Sequence, residues 1–150
     1  MRRALLLAPA LTLVACARGP AQPAAVDTRN DSCAHCRMAV SDTRFAAQLA
    51  APGEEAKFFD DLGCLRDYLR KGMRLPGGAV AFVADHRTRE WVRASRAVWT
   101  RRDSLETPMA SHLIAHASAA SRDADPDAAG GTPSSTREIF GLTGPPDGKP

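Results

Sequence analysis

The feature that most constrains the fold of this chain is an almost wholly apolar run over residues 79–84. Gly77 and Gly78 precede the run and Asp85 follows it. A run of this length between turn residues is typical of a strand rather than a helix. Because it is apolar on both faces, it must be covered on both sides, which predicts a central strand of a sheet.

Further strands are indicated on both sides of this run. Residues 45–50 favour a strand, and residues 57–59 favour its hairpin return. Residues 91–92 begin another strand, and residues 97–99 continue the sheet. The strands alternate with helical patterns, so the sequence predicts an α+β body.

Two helices are predicted within this body. Asp60 or Asp61 caps the first, in which three leucines recur at helical spacing until Gly72 ends it. Residues 109–120 favour a weaker second helix with apolar side chains on one face. The expected fold is thus a small body of antiparallel strands and two helices, in an order compatible with two similar ββαβ-like units.

The N-terminus has the layout of a secretory signal. Arg2 and Arg3 precede an apolar run that is too short for a membrane span of about 20 residues. The run ends in Leu-Val-Ala-Cys, which resembles a bacterial lipobox and predicts a signal peptide over residues 1–15 with lipid on Cys16. Cleavage nearby without lipidation is the alternative. Ala17 is not acidic, so we expect a body anchored at the periplasmic face of the outer membrane.

Composition divides the rest of the chain into three parts. Residues 16–31 are rich in Pro and Ala and predict a flexible tether, and residues 32–120 form the expected body. Residues 121–150, dominated by Ser, Asp, Gly and Pro, predict a disordered tail in which residues 136–142 could form one helical turn.

The charge balance gives no indication of a nucleic-acid partner. The formal net charge is +3, and removal of residues 1–15 leaves +1. Lys and Arg never run beyond two consecutive positions, and aromatic residues make up 5% of the chain. A basic surface stripe is therefore not expected.

The chemistry-bearing segment reads Cys-Ala-His-Cys-Arg-Met. Cys33, Cys36 and Met38 place two thiols and a thioether within six residues. Thiolates and thioethers are soft ligands that favour Cu(I), whereas zinc has little use for a thioether. Met109 and His112 lie far downstream and could complete the site. The sequence therefore predicts a Cu(I) site.

Other uses of the cysteines stay open. With Cys16 assigned to lipid, Cys33, Cys36 and Cys64 remain, and an odd number argues against a disulfide scaffold. Cys33 and Cys36 could form a thiol–disulfide redox pair, or a structural disulfide. Cys64 is interpreted as a small buried apolar residue.

A zinc site is the other alternative for the motif cysteines. His112 and His116 would join Cys33 and Cys36 in a Cys2His2 set. Neither methionine is used in that arrangement. His35 is interpreted as an exposed histidine, and the carboxylates at residues 60–61 as helix caps, because hard oxygen donors suit Cu(I) poorly.

Four motifs, taken in order, resemble landmarks of the NosL family. These are Cys-x-x-Cys-x-Met at residues 33–38, Phe-Phe-Asp-Asp-Leu-Gly-Cys at 58–64, Trp-Val at 91–92 and Thr-Pro-Met at 107–109. The lipobox fits as well, and the resemblance covers residues 16–118. NosL is the accessory lipoprotein of nitrous oxide reductase.

The resemblance implies a copper chaperone and no enzyme. Its expected role is to deliver Cu(I) for the copper centres of nitrous oxide reductase, together with the membrane transporter complex of the same maturation system. The implied ligands are Cys33, Cys36, Met38 and Met109. Two positions depart from the family pattern. Arg37 stands where glycine is common, and His112 stands among residues that are usually small.

Overall fold

The computed structural model describes residues 19–148 and contains two antiparallel sheets with three helices. The α+β class is therefore confirmed. The predicted signal peptide and Cys16 lie outside the described residues. Among the helices within them, none combines the length and apolar character needed to cross a membrane.

The first sheet is built around the apolar run at residues 79–84. Its strands are β1 (Ala47–Ala50), β2 (Lys57–Phe59), β3 (Val80–Ala84) and β4 (Trp91–Arg93), in the order β2-β1-β3-β4. All five residues of β3 are buried. The hairpin of β1 and β2 pairs Ala47 with Phe59, as the sequence predicts.

Helix α1 (Leu62–Arg70) follows β2 and begins where the carboxylates predict it. Asp61 is the N-cap, because its side chain accepts the N–H of Gly63. The helix ends before Gly72, whose φ of +66° is the left-handed conformation that glycine adopts readily. Leu62 and Leu65 are fully buried and face the sheet.

The second sheet repeats the arrangement of the first. Its strands are β5 (Val98–Arg101), β6 (Leu113–His116) and β7 (Thr132–Ser134), in the order β6-β5-β7. In both units the first strand lies between its hairpin partner and a strand that follows a helix. Two similar ββαβ units are thus present, and β4 is added to the first.

One part of the helix prediction is wrong. Residues 113–116 form strand β6, and the helices that follow are the short α2 (Ala119–Asp123) and α3 (Thr136–Phe140). All of β6 is buried and pairs with β5, with Trp99 opposite Ala115. A short segment that is buried on both faces carries no period of two, so its pattern also fits a helix.

The predicted disordered tail is also corrected. Residues 132–134 pair with β5, and the capping box of Ser135 and Glu138 starts α3. Ile139 and Phe140 are buried, and the Phe140 ring lies 5.4 Å from the Trp99 ring. The composition of residues 121–150 is mostly polar, so it gave no indication that Ile139 and Phe140 cover the core.

The largest core cluster joins the two units. It contains Trp99 and Phe140 from the second unit together with Phe59, Leu65 and Val83 from the first. Both sheets and α1 therefore share one apolar interior, which holds the two units together.

Residues 19–31 contain no helix or strand, but they contact the first sheet. The Gln48 side chain accepts the N–H of Ala24 at 2.8 Å and donates to the Ala24 carbonyl at 3.0 Å. Ala21 is buried in a small cluster with Val80 and Phe82. The expected tether is thus attached to the body at these points.

Candidate metal site

The motif cysteines lie on a tight loop that two backbone contacts close. Ser32 pairs with Ala39 in an isolated bridge, and the Cys33 N–H donates to the Met38 carbonyl at 2.7 Å. The loop is attached to β2 because the N–H of its second residue, Ala34, donates to the Phe58 carbonyl at 2.8 Å. This places Cys33 and Cys36 beside the end of β2, where α1 begins.

The segment between β2 and α1 supplies the other half of the site. Asp60 follows β2 and accepts the Cys36 thiol on Oδ1 at 3.3 Å. Asp61 caps α1, and Cys64 lies in the first turn of that helix. The strand end and the helix start thus direct a carboxylate and a third sulfur towards the loop.

Four potential ligand atoms meet at this point. The sulfur atoms of Cys33, Cys36 and Cys64 and a carboxylate oxygen of Asp60 all lie within 4.8 Å of one another. Cys33 and Cys64 are buried, whereas Cys36 is partly exposed. We call these four residues the sulfur cluster. It could bind a metal ion, and its soft donors favour a soft ion.

Hydrogen bonds within the cluster separate the three thiols. The thiol of Cys64 donates to Cys33 and lowers the pKa of Cys33 to about 6, despite its burial. The same bond raises the pKa of Cys64 well above its usual range. Burial raises the pKa of Cys36 to about 11, with the neighbouring Cys33 sulfur acting in the same direction. At neutral pH the cluster therefore holds one thiolate and two thiols.

The predicted methionine ligands flank the cluster from two loops. Met38 ends the cysteine loop and is 60% exposed, and Met109 is 47% exposed. The N–H of Met109 donates to Oδ2 of Asp61 at 3.0 Å, so its loop is attached to the start of α1. Both side chains are accessible to solvent.

A glycine allows this second loop to approach the helix. A Cβ built on Gly63 would lie 2.6 Å from the Cβ of Ser111, which real side chains do not tolerate. Any larger residue here would push the loop carrying Met109 away from α1. Gly63 is thus required by close packing rather than by its backbone angles.

Left-handed backbone is concentrated in the two loops that flank the cluster. Four non-glycine residues between 19 and 148 have positive φ, and three of them are Arg37 (70°), Ala110 (52°) and His112 (56°). An L-residue in this conformation costs roughly 1–2 kcal/mol. The site loops therefore store strain, as functional loops often do.

The predicted histidine ligand has a partner of its own. Nδ1 of His112 lies 2.8 Å from the carbonyl of Leu105, and its backbone N–H donates to the side chain of Thr107. No histidine among residues 19–148 belongs to the sulfur cluster. His116 is buried elsewhere, where Nε2 lies 2.8 Å from Asp125. The Cys2His2 alternative is therefore wrong.

Sequence reasoning missed two members of the cluster. Cys64 is buried, as predicted, but its sulfur faces Cys33 instead of only filling space. Asp61, not Asp60, caps α1. The carboxylate of Asp60 faces Cys36 instead. Asp60 and Cys64 are one helical turn apart in the sequence. This spacing was the available sequence signal that both belong to the cluster.

Comparison of the chain with models of known protein families, with curated proteins and with solved structures found no match.

Proposed function

We propose that this protein binds one Cu(I) ion at the sulfur cluster and passes it to a partner without catalysing a reaction. The observation that carries the proposal is the convergence of three cysteine sulfurs within 4.8 Å. Such a set suits Cu(I), which prefers thiolate and thioether ligands to the oxygen and nitrogen donors of harder ions. None of the three cysteines forms a disulfide, so their sulfurs are available for a metal.

The exposed thioethers support a role in transfer rather than storage. Cys33 or Cys36 would supply thiolate, and Met38 and Met109 would complete a low-coordinate site. Both methionines are about half exposed, so a partner can approach the metal from their side. A closed four-ligand cage would hold the ion too firmly for exchange.

We further propose that the recipient is nitrous oxide reductase, reached together with its maturation transporter complex. This assignment rests on the resemblance to the NosL family. Three of the four resembling segments meet at one place, since residues 33–38 and 58–64 form the cluster and residues 107–109 contact Asp61. The body would work at the periplasmic face, held to the membrane by lipid on Cys16.

Burial argues against the thiol–disulfide alternative. A redox enzyme needs its low-pKa cysteine exposed to the substrate disulfide. Here the thiol with the lowered pKa is Cys33, which is fully buried, whereas the more exposed Cys36 has a raised pKa.

The proposal is tested by anaerobic titration with Cu(I) against a competing chelator, with Zn(II) titrated in parallel. We expect one tightly held Cu(I), lost when Cys33 and Cys36 are both replaced by serine. Circular dichroism of the double variant checks that it is folded. Retention of Cu(I) by a folded double variant would place the site elsewhere. Catalytic reduction of disulfides by the metal-free protein would favour the redox alternative.

A further inference from the structure

A second group of potential ligand side chains combines residues of both units and is separate from the sulfur cluster. It consists of His86, which follows β3, His116 at the end of β6, and Asp125, which follows α2. Their side chains are between 0% and 4% exposed. Three separate elements thus bring two imidazoles and a carboxylate together inside the protein.

The three side chains converge on one point. Nδ1 of His86 lies 2.7 Å and Nε2 of His116 lies 2.8 Å from the same carboxylate oxygen, Oδ2 of Asp125. The other oxygen, Oδ1, accepts the N–H of Asp127 at 2.9 Å. Asp125 therefore offers a single oxygen, and that oxygen meets two ring nitrogens at once.

We propose that His86, His116 and Asp125 form a second metal site, which takes a divalent ion of borderline softness such as Zn(II). Two imidazole nitrogens and one carboxylate oxygen are a donor set typical of zinc. Zinc bonds to such atoms are about 2.0–2.2 Å long, so an ion between them requires only a small outward movement of the rings. Cu(I), being soft, would prefer the sulfur cluster.

The surroundings offset the charge of such an ion. Asp85, also fully buried, precedes His86 and accepts the N–H of Ala117, the residue after His116. Two carboxylates thus lie close to the ion. Of the guanidinium groups around it, that of Arg44 is paired with Asp42 at 2.7 Å and lies 3.6 Å from Asp127, and that of Arg122 is paired with Asp123 at 2.7 Å.

Space for a fourth ligand is present beside the carboxylate. A cleft of about 350 Å³ is lined by Asp125 and by Thr100, whose buried hydroxyl has no hydrogen-bond partner in the protein. Water in this cleft would complete a tetrahedral site. The far ring nitrogens, His86 Nε2 and His116 Nδ1, also lack protein partners. These two nitrogens would have no protein partner whether or not an ion is bound, so they do not bear on the question. The inference rests on the convergence of the three donor atoms.

The test uses the full chain in which Cys33 and Cys36 are replaced by serine, which removes the competing sulfur ligands. Zn(II) is added against a chromophoric chelator. We expect one bound Zn(II), and we expect Asp125→Asn to weaken its binding by more than roughly 100-fold, since even loss of a residue behind a ligand costs about 10–100-fold. Asp103→Asn is the control, because this carboxylate is exposed and lines neither the group nor the cleft.

A second measurement tests the proposal in case the serine variant folds poorly. In the otherwise native chain, Asp125→Asn should lower the zinc stoichiometry by one ion, and Asp103→Asn should leave it unchanged. Nitrogen NMR of the histidine rings should also show the nitrogens that face Asp125 changing to metal-bound on zinc addition. Equal stoichiometry in both variants, with unchanged ring spectra, would identify the group as a hydrogen-bonded network and overturn the proposal.

Discussion

The carboxylate of Asp61 accepts the backbone N–H of Met109 at 3.0 Å, across 48 residues of sequence. Its other oxygen caps α1 through Gly63 at 2.6 Å. One side chain therefore sets both the start of the helix that carries Cys64 and the position of the loop that carries Met109. Helix stability and the geometry of the candidate copper site are linked through this residue.

Replacing Asp61 should consequently affect both properties. Asp61→Ala removes the cap, which typically lowers the free energy of unfolding by about 1 kcal/mol. It also releases the Met109 loop, so Cu(I) affinity should fall in the chelator competition. The matched control is Ser135→Ala, which removes the N-cap of α3 away from the site. That variant should lose stability in urea unfolding and keep its Cu(I) affinity.

Met109→Leu should weaken Cu(I) binding without destabilising the protein. The side chain is 47% exposed, so little packing is lost, whereas the soft sulfur is removed. Met73→Leu is the control, since Met73 is 52% exposed and lies on the loop after α1. If the two variants bind Cu(I) equally well, Met109 is not a ligand.

Cys64 should control the ionisation of Cys33. The pKa of Cys33 is lowered to about 6 because Cys64 donates a hydrogen bond to its sulfur. Removing the donor in Cys64→Ala should raise this pKa, so the thiolate absorbance of the reduced, metal-free protein at pH 7 should decrease. Cys64→Ser keeps a donor and should restore most of the absorbance. Equal titration curves for these variants would argue against the hydrogen bond.

Stability should depend on the ionisation of Asp85. Burial raises the pKa of this carboxyl, but N–H donors from Ala117, Thr88 and Arg87 outweigh it and lower the pKa to about 2. The ionised form is thus favoured by folding. Its contribution is complete above about pH 4 and is lost as pH falls through about 2.

Asp85→Asn removes that contribution. At pH 7 the variant should unfold at a free energy lower by about 2 kcal/mol, the value that a shift from 3.8 to about 2 implies. Urea unfolding at several pH values should show the gap to the native chain closing towards pH 2. The exposed Asp103→Asn is the control and should change little. A gap independent of pH would indicate a steric effect instead.

Much of the first unit was predictable because its local signals agree. The run at residues 79–84 gave a central strand, and Asp61, the leucines and Gly72 defined α1. The hairpin of β1 and β2 followed from two short strands around Pro52 and Gly53. Propensity, capping and turn residues all favour one structure here.

The second unit was less predictable because its elements are short and depend on distant partners. Strand β6 lacks alternation, since both of its faces are buried. Strand β7 contains Pro133, which is tolerated because β7 lies at the edge of its sheet. The capping box of Ser135 and Glu138 is a local signal for α3, but its packing onto the core depends on the contact of Phe140 with Trp99.

The candidate site was half predictable for a similar reason. Cys33, Cys36 and Met38 are close in sequence, so their spacing alone indicates shared chemistry. Cys64 and Asp60 join them only because β2 delivers the chain to the cysteine loop, through the bond from Ala34 to Phe58. His86, His116 and Asp125 are separated by 30 residues and by 9, and no local pattern connects them.

Val80 meets both ends of the described chain. Ala21 belongs to the same buried cluster, and Asp147 pairs with Val80 in an isolated bridge. The backbone is thus closed into a ring by non-covalent contacts. A short peptide could therefore join the described segment between residues 21 and 147, and the chain could be reopened at an exposed turn, since circular permutation is tolerated where the joined positions lie close together. Folding of the body formed by residues 21–147 should therefore depend little on where along the ring its chain begins.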